Sequence, residues 1–495
     1  MTKKIKFAKD ESNELKLSIL HTNDTHSYLD DFARRATLIE KIRKENEQKG
    51  IETLLFDCGD VFAGSIYFTM YEGQKEAELM NLLNYDAMTL GNHEFDRGSP
   101  LLANFFETID FPVVATNIDM SQDSVLCSHV DQTVFSLLIK SLGNGERLAI
   151  FGLTTMTTTD SASPSLQTKF NDPVETAVRT VNKLKALGIK TIITLSHLGD
   201  DEDQKLAKAV AGIDLIIGGH THRVIEKPII INREGSLTAI TQAGEYGKYV
   251  GQLDVTLSTA GTIKDIKGKL HPINQTITEA PKFKVMIDQI KREKVNVSSK
   301  IVGKTAWVLN GEREQLRLGE TNLGNLVADA FFYKAKVKDL QPDLAIINSG
   351  GIRASILKGL ISFGDLINVL PFSKTLMLLE VTGQNIKDAL EYGLFPQVSR
   401  LQAKFDLNQA TGKKLQELLI LRNGQFEPIR EQEKYRVVTN SFVGVGKDNF
   451  QGFQVAKVIV DNIALDVNAL ADYIADLPQP IKYETDQRLV YQYND

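Results

Sequence analysis

Five polar motifs succeed one another along the chain: Asp24-Thr-His26, Gly59-Asp60, Gly91-Asn92-His93-Glu94, His197 and Gly219-His220-Thr221-His222. Each comes at or just beyond the end of a short apolar run. Runs at 17–20, 53–56, 87–90, 113–115, 148–153, 191–195 and 215–217 are short enough for strands, and several are rich in β-branched residues. Segments of helical period lie between several of them, near 33–49, 75–83, 174–187 and 204–210. This alternation predicts an α/β sandwich whose strands feed loops at their C-terminal ends. Open α/β sheets bind ligands at those ends, and the polar motifs stand there. A hydrophobic content of 42% with 24% charged residues gives such a chain ample core.

The donor chemistry of the motifs is specific. Asp24, His26, Asp60, Asn92, His197, His220 and His222 offer nitrogen and oxygen atoms that suit two divalent ions, such as Mn2+ or Zn2+, sharing one carboxylate. Such a pair, roughly 3.5–4 Å apart, activates water and clamps both oxygens of a phosphoryl displacement. Asp24 and His26 are two residues apart on a tightening loop, so both reach one ion. Asp60, next to a glycine that permits close approach, is placed to bridge. His93 need not be a ligand: beside a bound phosphate it is expected to act as general acid to the leaving oxygen, oriented by Asp96. The glycines before His220 and His222 bring two imidazoles close without blocking the site. His21, His129 and His271 are assigned to structure.

At 495 residues the length suggests about two to four domains. A net charge of −6 and the absence of a sustained basic run argue against nucleic acid as the main partner. Cys58 and Cys127 form no CxxC pair and read as reduced structural thiols. The first fifteen residues carry positive charge without the apolar stretch of a signal peptide, and no run of 18 apolar residues exists. The expectation is a cytoplasmic chain with no membrane partner. The sequence is divided into 1–275, a charged helical segment at 276–300 and a second α/β region at 301–495. In the last, Thr321 caps a helix with Leu323, Leu326, Val327, Ala330 and Phe331 on its buried face, and strands are expected at 344–347, 376–381 and 435–438. Oligomeric state is not legible.

The metal motifs together resemble the calcineurin-like metallophosphoesterase superfamily. Arg313-x-x-x-Arg317, Thr321-Asn-Leu-Gly-Asn, Ser349-Gly-Gly-Ile-Arg353, Pro371-Phe372-Ser-Lys374 and Asn440-Ser-Phe442 through Asp448 narrow the resemblance to the 5′-nucleotidase family, which includes bacterial UDP-sugar hydrolases. The resemblance runs from Leu17 to Phe453. It implies a four-layer α/β/β/α metallophosphoesterase domain and a C-terminal α/β nucleotide-binding domain, with the 276–300 segment as hinge. One ion would be held by Asp24, His26, Asp60 and His222, the other by Asp60, Asn92, His197 and His220, with His93 and Asp96 as the catalytic dyad. Arg313, Arg317 and Arg353 would clamp the anion, Phe372 and Phe442 would sandwich the base, and Asp448 would contact the ribose. The implied reaction is hydrolysis of nucleoside 5′-monophosphates. 2′,3′-Cyclic nucleotides or UDP-sugars are the alternative substrates, and a nucleotide sensor without turnover is the non-enzymatic one. Three positions depart from the pattern: His222 where several bacterial relatives have glutamine, Lys374 for asparagine, and Lys447 for glycine.

Overall fold

The computed structural model describes residues 15–141, 147–233, 236–258 and 261–492. The reading of the N-terminal segment falls almost wholly on residues 1–14, outside that set. The chain divides into two compact units, Met1–Arg292 and Glu293–Asp495.

Two sheets build the first unit. One has seven strands in the order Ile263–Pro272, Tyr249–Leu257, Leu15–Thr22, Glu52–Asp57, Ala87–Met88, Val113–Val114 and Val134–Phe135. The other has six, in the order Ile229–Arg233, Ser236–Thr241, Leu215–Ile217, Thr191–His197, Arg147–Thr154 and Leu138–Ser141. Leu15–Thr22, Glu52–Asp57 and Ala87–Met88 run parallel side by side. Thr191–His197 is likewise parallel to its neighbours Arg147–Thr154 and Leu215–Ile217.

The layering follows from the two-residue period of strands. Leu17, Ile19, Leu54 and Phe56 point into a core shared with Ile150, Ile193, Leu195 and Ile217 of the other sheet. Leu20 and Leu55, one residue out of phase, face a helix layer that includes Phe32, Ala36 and Ile39 of Phe32–Gln48. Phe151, Ile192 and Ile216 face Val181 and Leu184 of Pro173–Ala186 and Leu206 of Asp200–Ala209. The result is the α/β/β/α order. Strands covered on both faces read as continuous apolar runs, which is why they stand out in the sequence.

The helix expected at 204–210 begins earlier, at Asp200. Its first turn is Asp200, Asp201, Glu202 and Asp203, acidic residues that suit a helix N-terminus but carry no apolar period. The segment expected at 276–300 forms the helix Pro281–Ser298, and its Phe283, Ile287 and Ile290 belong to the first unit's core. The division between units therefore falls inside this helix, at Arg292/Glu293, within the segment 276–300.

In the second unit a five-stranded sheet runs in the order Pro396–Ser399, Leu344–Asn348, Lys434–Asn440, Leu376–Thr382 and Lys457–Val460. A four-stranded sheet contains Gln425–Pro428, Leu415–Arg422, Leu401–Asp406 and Leu489–Gln492. Thr321 caps the helix Asn322–Val337 by accepting the Gly324 N–H. No described helix is long and apolar enough to cross a membrane.

Candidate active site

The loops that carry the donors leave adjacent parallel strands at their C-terminal ends, three from one sheet of the first unit and two from the other. Asp24 and His26 follow Leu15–Thr22, Asp60 follows Glu52–Asp57, and Asn92 and His93 follow Ala87–Met88. His197 ends its own strand, while His220 and His222 follow Leu215–Ile217.

These loops are held in unusual conformations. Asp24, His26, Asp60, His220 and His222 have φ of 49°, 48°, 55°, 82° and 58°. L-residues seldom occupy this left-handed region, and each instance costs about 1–3 kcal/mol unless the surroundings enforce it. Here they do. The Asp24 N–H donates to Gly59 O and the His26 N–H to Asp60 O, both at 2.9 Å. The His220 N–H donates to the Asp24 carboxylate at 2.9 Å.

Glu94 is the organiser that sequence reasoning quoted within its motif but gave no role. Its buried carboxylate accepts four backbone N–H groups: Asp60 at 2.9 Å, Val61 at 2.7 Å, Phe62 at 3.1 Å and Gly91 at 2.6 Å. It thereby fastens the Asp60 loop to the Asn92 loop. A Cβ on Gly91 would lie 2.2 Å from Asp60 Oδ1, so only glycine allows this approach.

Three donor sets converge, each with its ligand atoms within 4.8 Å of one another: Asp24, His26 and His222; Asp60, His197 and His220; and His26, Asp60 and His93. Asp60 Oδ2 lies 3.1 Å from His197 Nε2, 3.9 Å from His26 Nε2 and 4.0 Å from His93 Nε2. The far ring nitrogens are tied down. His197 Nδ1 lies 2.6 Å from Cys58 O, His26 Nδ1 3.2 Å from Phe62 O, and His222 Nδ1 2.7 Å from Glu245 Oε2. Each contact leaves Nε2 facing inward, the tautomer a metal requires. Asn92 Oδ1 is buried without a hydrogen-bond partner among the described residues. An orphaned buried acceptor costs about 1–3 kcal/mol, and a cation removes that cost. The donors thus fit two divalent ions, with Asn92 completing the set around His197 and His220.

Electrostatics carry the mark of crowding. Burial pushes the Asp60 carboxyl up, but the His197 and His93 imidazoles outweigh it and hold it well below the usual range. Burial alone would lower His197; the Asp60 carboxylate instead raises it to about 10. Burial, reinforced by the His197 charge, lowers His220 to about 4. Protons and cations compete for one anionic pocket.

His93, though within reach of Asp60, differs from the other imidazoles in being held at Nδ1 by a buried carboxylate. Its Nδ1 lies 2.8 Å from Oδ2 of the buried Asp96, and its backbone N–H donates to Asp60 Oδ1 at 2.8 Å. The imidazole is anchored by one nitrogen and offers the other to the donor cluster. His21 is buried under Gly251, and burial lowers it to about 3, so it is a structural residue. His271 pairs with Gln252 at 2.8 Å, and His129 packs on Phe106. Of the two cysteines Cys58 is buried and Cys127 exposed, and both are free.

The substrate-binding residues expected from the resemblance lie in the second unit, in pairs. The Arg353 guanidinium lies 5.6 Å over Phe372, and Lys374 Nζ lies 5.6 Å over Phe442. Arg313 and Arg317 occupy the short helix Arg313–Leu318 and are exposed. Arg317 covers a ring not identified from sequence, Phe395, at 5.6 Å. Asn348 Nδ2 donates to Asp448 Oδ2 at 2.6 Å, and Asn440 Nδ2 donates to Asn348 Oδ1 at 3.1 Å. The loop before Phe395 joins the two motifs: Leu394 N–H donates to Asp448 O at 2.9 Å, and Ser349 N–H donates to Phe395 O at 3.1 Å.

Comparison with known proteins accords with this geometry. The calcineurin-like phosphoesterase family matches residues 17–224, and the 5′-nucleotidase C-terminal domain matches residues 301–455. The snake venom 5′-nucleotidase of Naja atra is 32% identical over 92% of this chain and 95% of its own length. The chain belongs to the 5′-nucleotidase family. It is therefore a phosphoric ester hydrolase of the metallophosphoesterase type. The trifunctional nucleotide phosphoesterase protein YfkN of Bacillus subtilis is 39% identical over 96% of this chain, which spans only 35% of that protein. Among solved structures, the 5′-nucleotidase precursor from Thermus thermophilus matches with a TM-score of 0.67 at 32% identity, covering 97% of this chain and 100% of its own.

Proposed function

We propose that the chain hydrolyses nucleoside 5′-monophosphates to nucleoside and phosphate. The observation that carries this reading is the convergence of Asp24, His26 and His222 with Asp60, His197 and His220, His26 Nε2 lying 3.9 Å from Asp60 Oδ2, and the Asp96-anchored His93 beside them. Two divalent ions, manganese or zinc by donor type, supply charge neutralisation and activated water when bound. Asp24, His26, Asp60 and His222 would hold one, and Asp60, Asn92, His197 and His220 the other.

The chain's own groups do the rest. Asp96 accepts a hydrogen bond from His93 Nδ1–H and favours the imidazolium, whose Nε2–H is the proton that passes to the departing 5′-oxygen. Protonated His93 also opposes the negative charge that builds on the phosphoryl oxygens. In the second unit the rings of Phe372 and Phe442 are the stacking surfaces for the base, and Arg353 and Arg317 are the cations beside them. Asp448, already oriented by Asn348, is the acceptor for a ribose hydroxyl.

A second reading, cleavage of 2′,3′-cyclic nucleotides or UDP-sugars, draws support from the likeness to a trifunctional phosphoesterase. The two part in a panel of AMP, other 5′-monophosphates, UDP-glucose and 2′,3′-cyclic AMP. Metal-stripped protein with manganese restored is the enzyme, and products are resolved by chromatography. Manganese-dependent phosphate release from the 5′-monophosphates is the expected result. Cleavage confined to the other esters would replace it with the second reading. Nucleotide binding without turnover would leave a sensor.

A further inference from the structure

Two of the donor sets differ in how one imidazole of each is held. His197 is fully buried and its Nδ1 meets a backbone carbonyl, whereas the His222 side chain is 33% exposed and its Nδ1 meets a carboxylate. That carboxylate, Glu245, belongs to none of the donor sets and to none of the motifs read from sequence. Its Oε2 lies 2.7 Å from His222 Nδ1 and its Oε1 2.8 Å from Lys248 Nζ. His222 Nε2 then lies 3.4 Å from Asp24 Oδ1.

Glu245 is held in place by its loop. The Tyr246 N–H donates to Asp24 O at 2.7 Å, Asn23 Nδ2 donates to Gly244 O at 2.7 Å, and the Ala243 N–H donates to Asn23 Oδ1 at 2.8 Å. The Tyr246 ring meets both His26 and His222 edge-on, with centroids 5.7 Å and 6.0 Å away. The loop that carries the carboxylate is thus bolted to the loop that carries Asp24, and Glu245 reaches His222 from a fixed base.

We propose that Glu245 is a positioning residue that holds His222 with Nε2 toward Asp24, and so sets the affinity of the Asp24–His26–His222 ion separately from that of its neighbour. The inference rests on the dimetal reading above. A carboxylate behind a ligating imidazole fixes its tautomer and ring orientation and strengthens its donor nitrogen; removing such a partner lowers metal affinity about 10–100-fold. A serine, lysine or alanine at 245 would leave an exposed imidazole to reorient in water. Lys248 contributes by keeping the carboxylate pointed at the ring.

The test is titration of the metal-stripped full chain with Mn2+ alone, free Mn2+ being read by electron paramagnetic resonance. Wild type is expected to bind two ions. Glu245→Ala is expected to weaken one binding step about 10–100-fold and leave the other in place, with the apo protein melting as wild type does. Glu245→Gln keeps an acceptor for the Nδ1 proton without the charge, so it should lose less; it also serves if the alanine variant folds poorly. In a His222→Gln background Glu245→Ala should have no further effect, because the residue acts through that imidazole. Two unchanged steps in Glu245→Ala would overturn the proposal. So would equal weakening of both steps, or additivity with His222→Gln. A wild-type chain that binds fewer than two ions would overturn the dimetal reading itself.

Discussion

The donor loops of the first unit and the residues of the second proposed to hold nucleotide are built on opposite plans. In the first, five donors sit in left-handed backbone, and Glu94 alone gathers four N–H groups to hold two loops together. In the second, Arg313, Arg317 and Arg353 are exposed, and Arg317 and Arg353 lie over ring faces at 5.6 Å. The lesson is one of division of labour. A centre that must place two cations within a fraction of an ångström is overdetermined before substrate arrives. Surfaces proposed to accept a flat base need only tolerate its identity.

Breaking the rigid side should hurt catalysis most. His93→Ala is expected to lower kcat about 10^2–10^4-fold with little change in KM, because the proton it moves matters only in the transition state. A KM effect alone would make His93 a binding residue. Asp96→Asn should produce a smaller loss in kcat through the misoriented ring.

Next in size is Glu94→Gln. Its amide nitrogen would face a backbone N–H, and charge-assisted bonds to the others would weaken, so the first unit should lose about 3 kcal/mol of stability in denaturant. If it unfolds as wild type does, the loops are held by something other than that carboxylate.

On the loose side, Phe372→Ala and Phe442→Ala should each cost about 1–3 kcal/mol of binding, read as a rise in KM for AMP with kcat kept. A fall in kcat instead would mean that these rings position the phosphate, and the contrast between the units would blur.

The smallest effect concerns pH. Burial raises Asp214 in the first unit to about 7, whereas the shifted carboxyls of the second unit, Glu380, Asp406 and Glu433, are pulled down by surface partners. Between the unfolded value near 3.9 and about 7 the folded Asp214 keeps a proton that the unfolded chain has lost. Its contribution to stability is therefore complete below pH 4 and lost as pH rises to 7. Asp214→Asn, which preserves an acceptor for the Ile192 N–H, should be more stable than wild type by on the order of 1–2 kcal/mol at pH 8 and equal to it near pH 4. Urea melts of the metal-free protein at both pH values check this.

Sequence reading reached the fold, and named side chains that the structure brings together, for a physical reason. Strands covered on both faces leave uninterrupted apolar runs, and metal ligands are confined to few residue types, so Asp24 through His222 stand out. It failed where the signal lies in the backbone or in alternation. The carbonyls of Cys58 and Phe62 that orient two imidazoles belong to residues whose side chains say nothing of that role. Tyr249–Leu257 and Ile263–Pro272 pair antiparallel, and the second of them has Lys264, Lys267 and Lys269 among its side chains, which hid it from a search for apolar runs. Phe395 sits in Leu-Phe-Pro, a sequence with no mark of a site, and is placed only by its bonds to Ser349 and by Arg317.

The helix Pro281–Ser298 has a practical side. A fragment ending at residue 275 would strip Phe283, Ile287 and Ile290 from the first unit, and with them about 1.5–3 kcal/mol of burial apiece. The groove left behind, still lined by Phe32, would be an adhesive surface, and such a fragment should clump on expression rather than stay dispersed. Carrying the cut past Arg292 keeps the plug in its socket, so the metal-binding half can be produced alone only with part of a helix that sequence had assigned to the boundary.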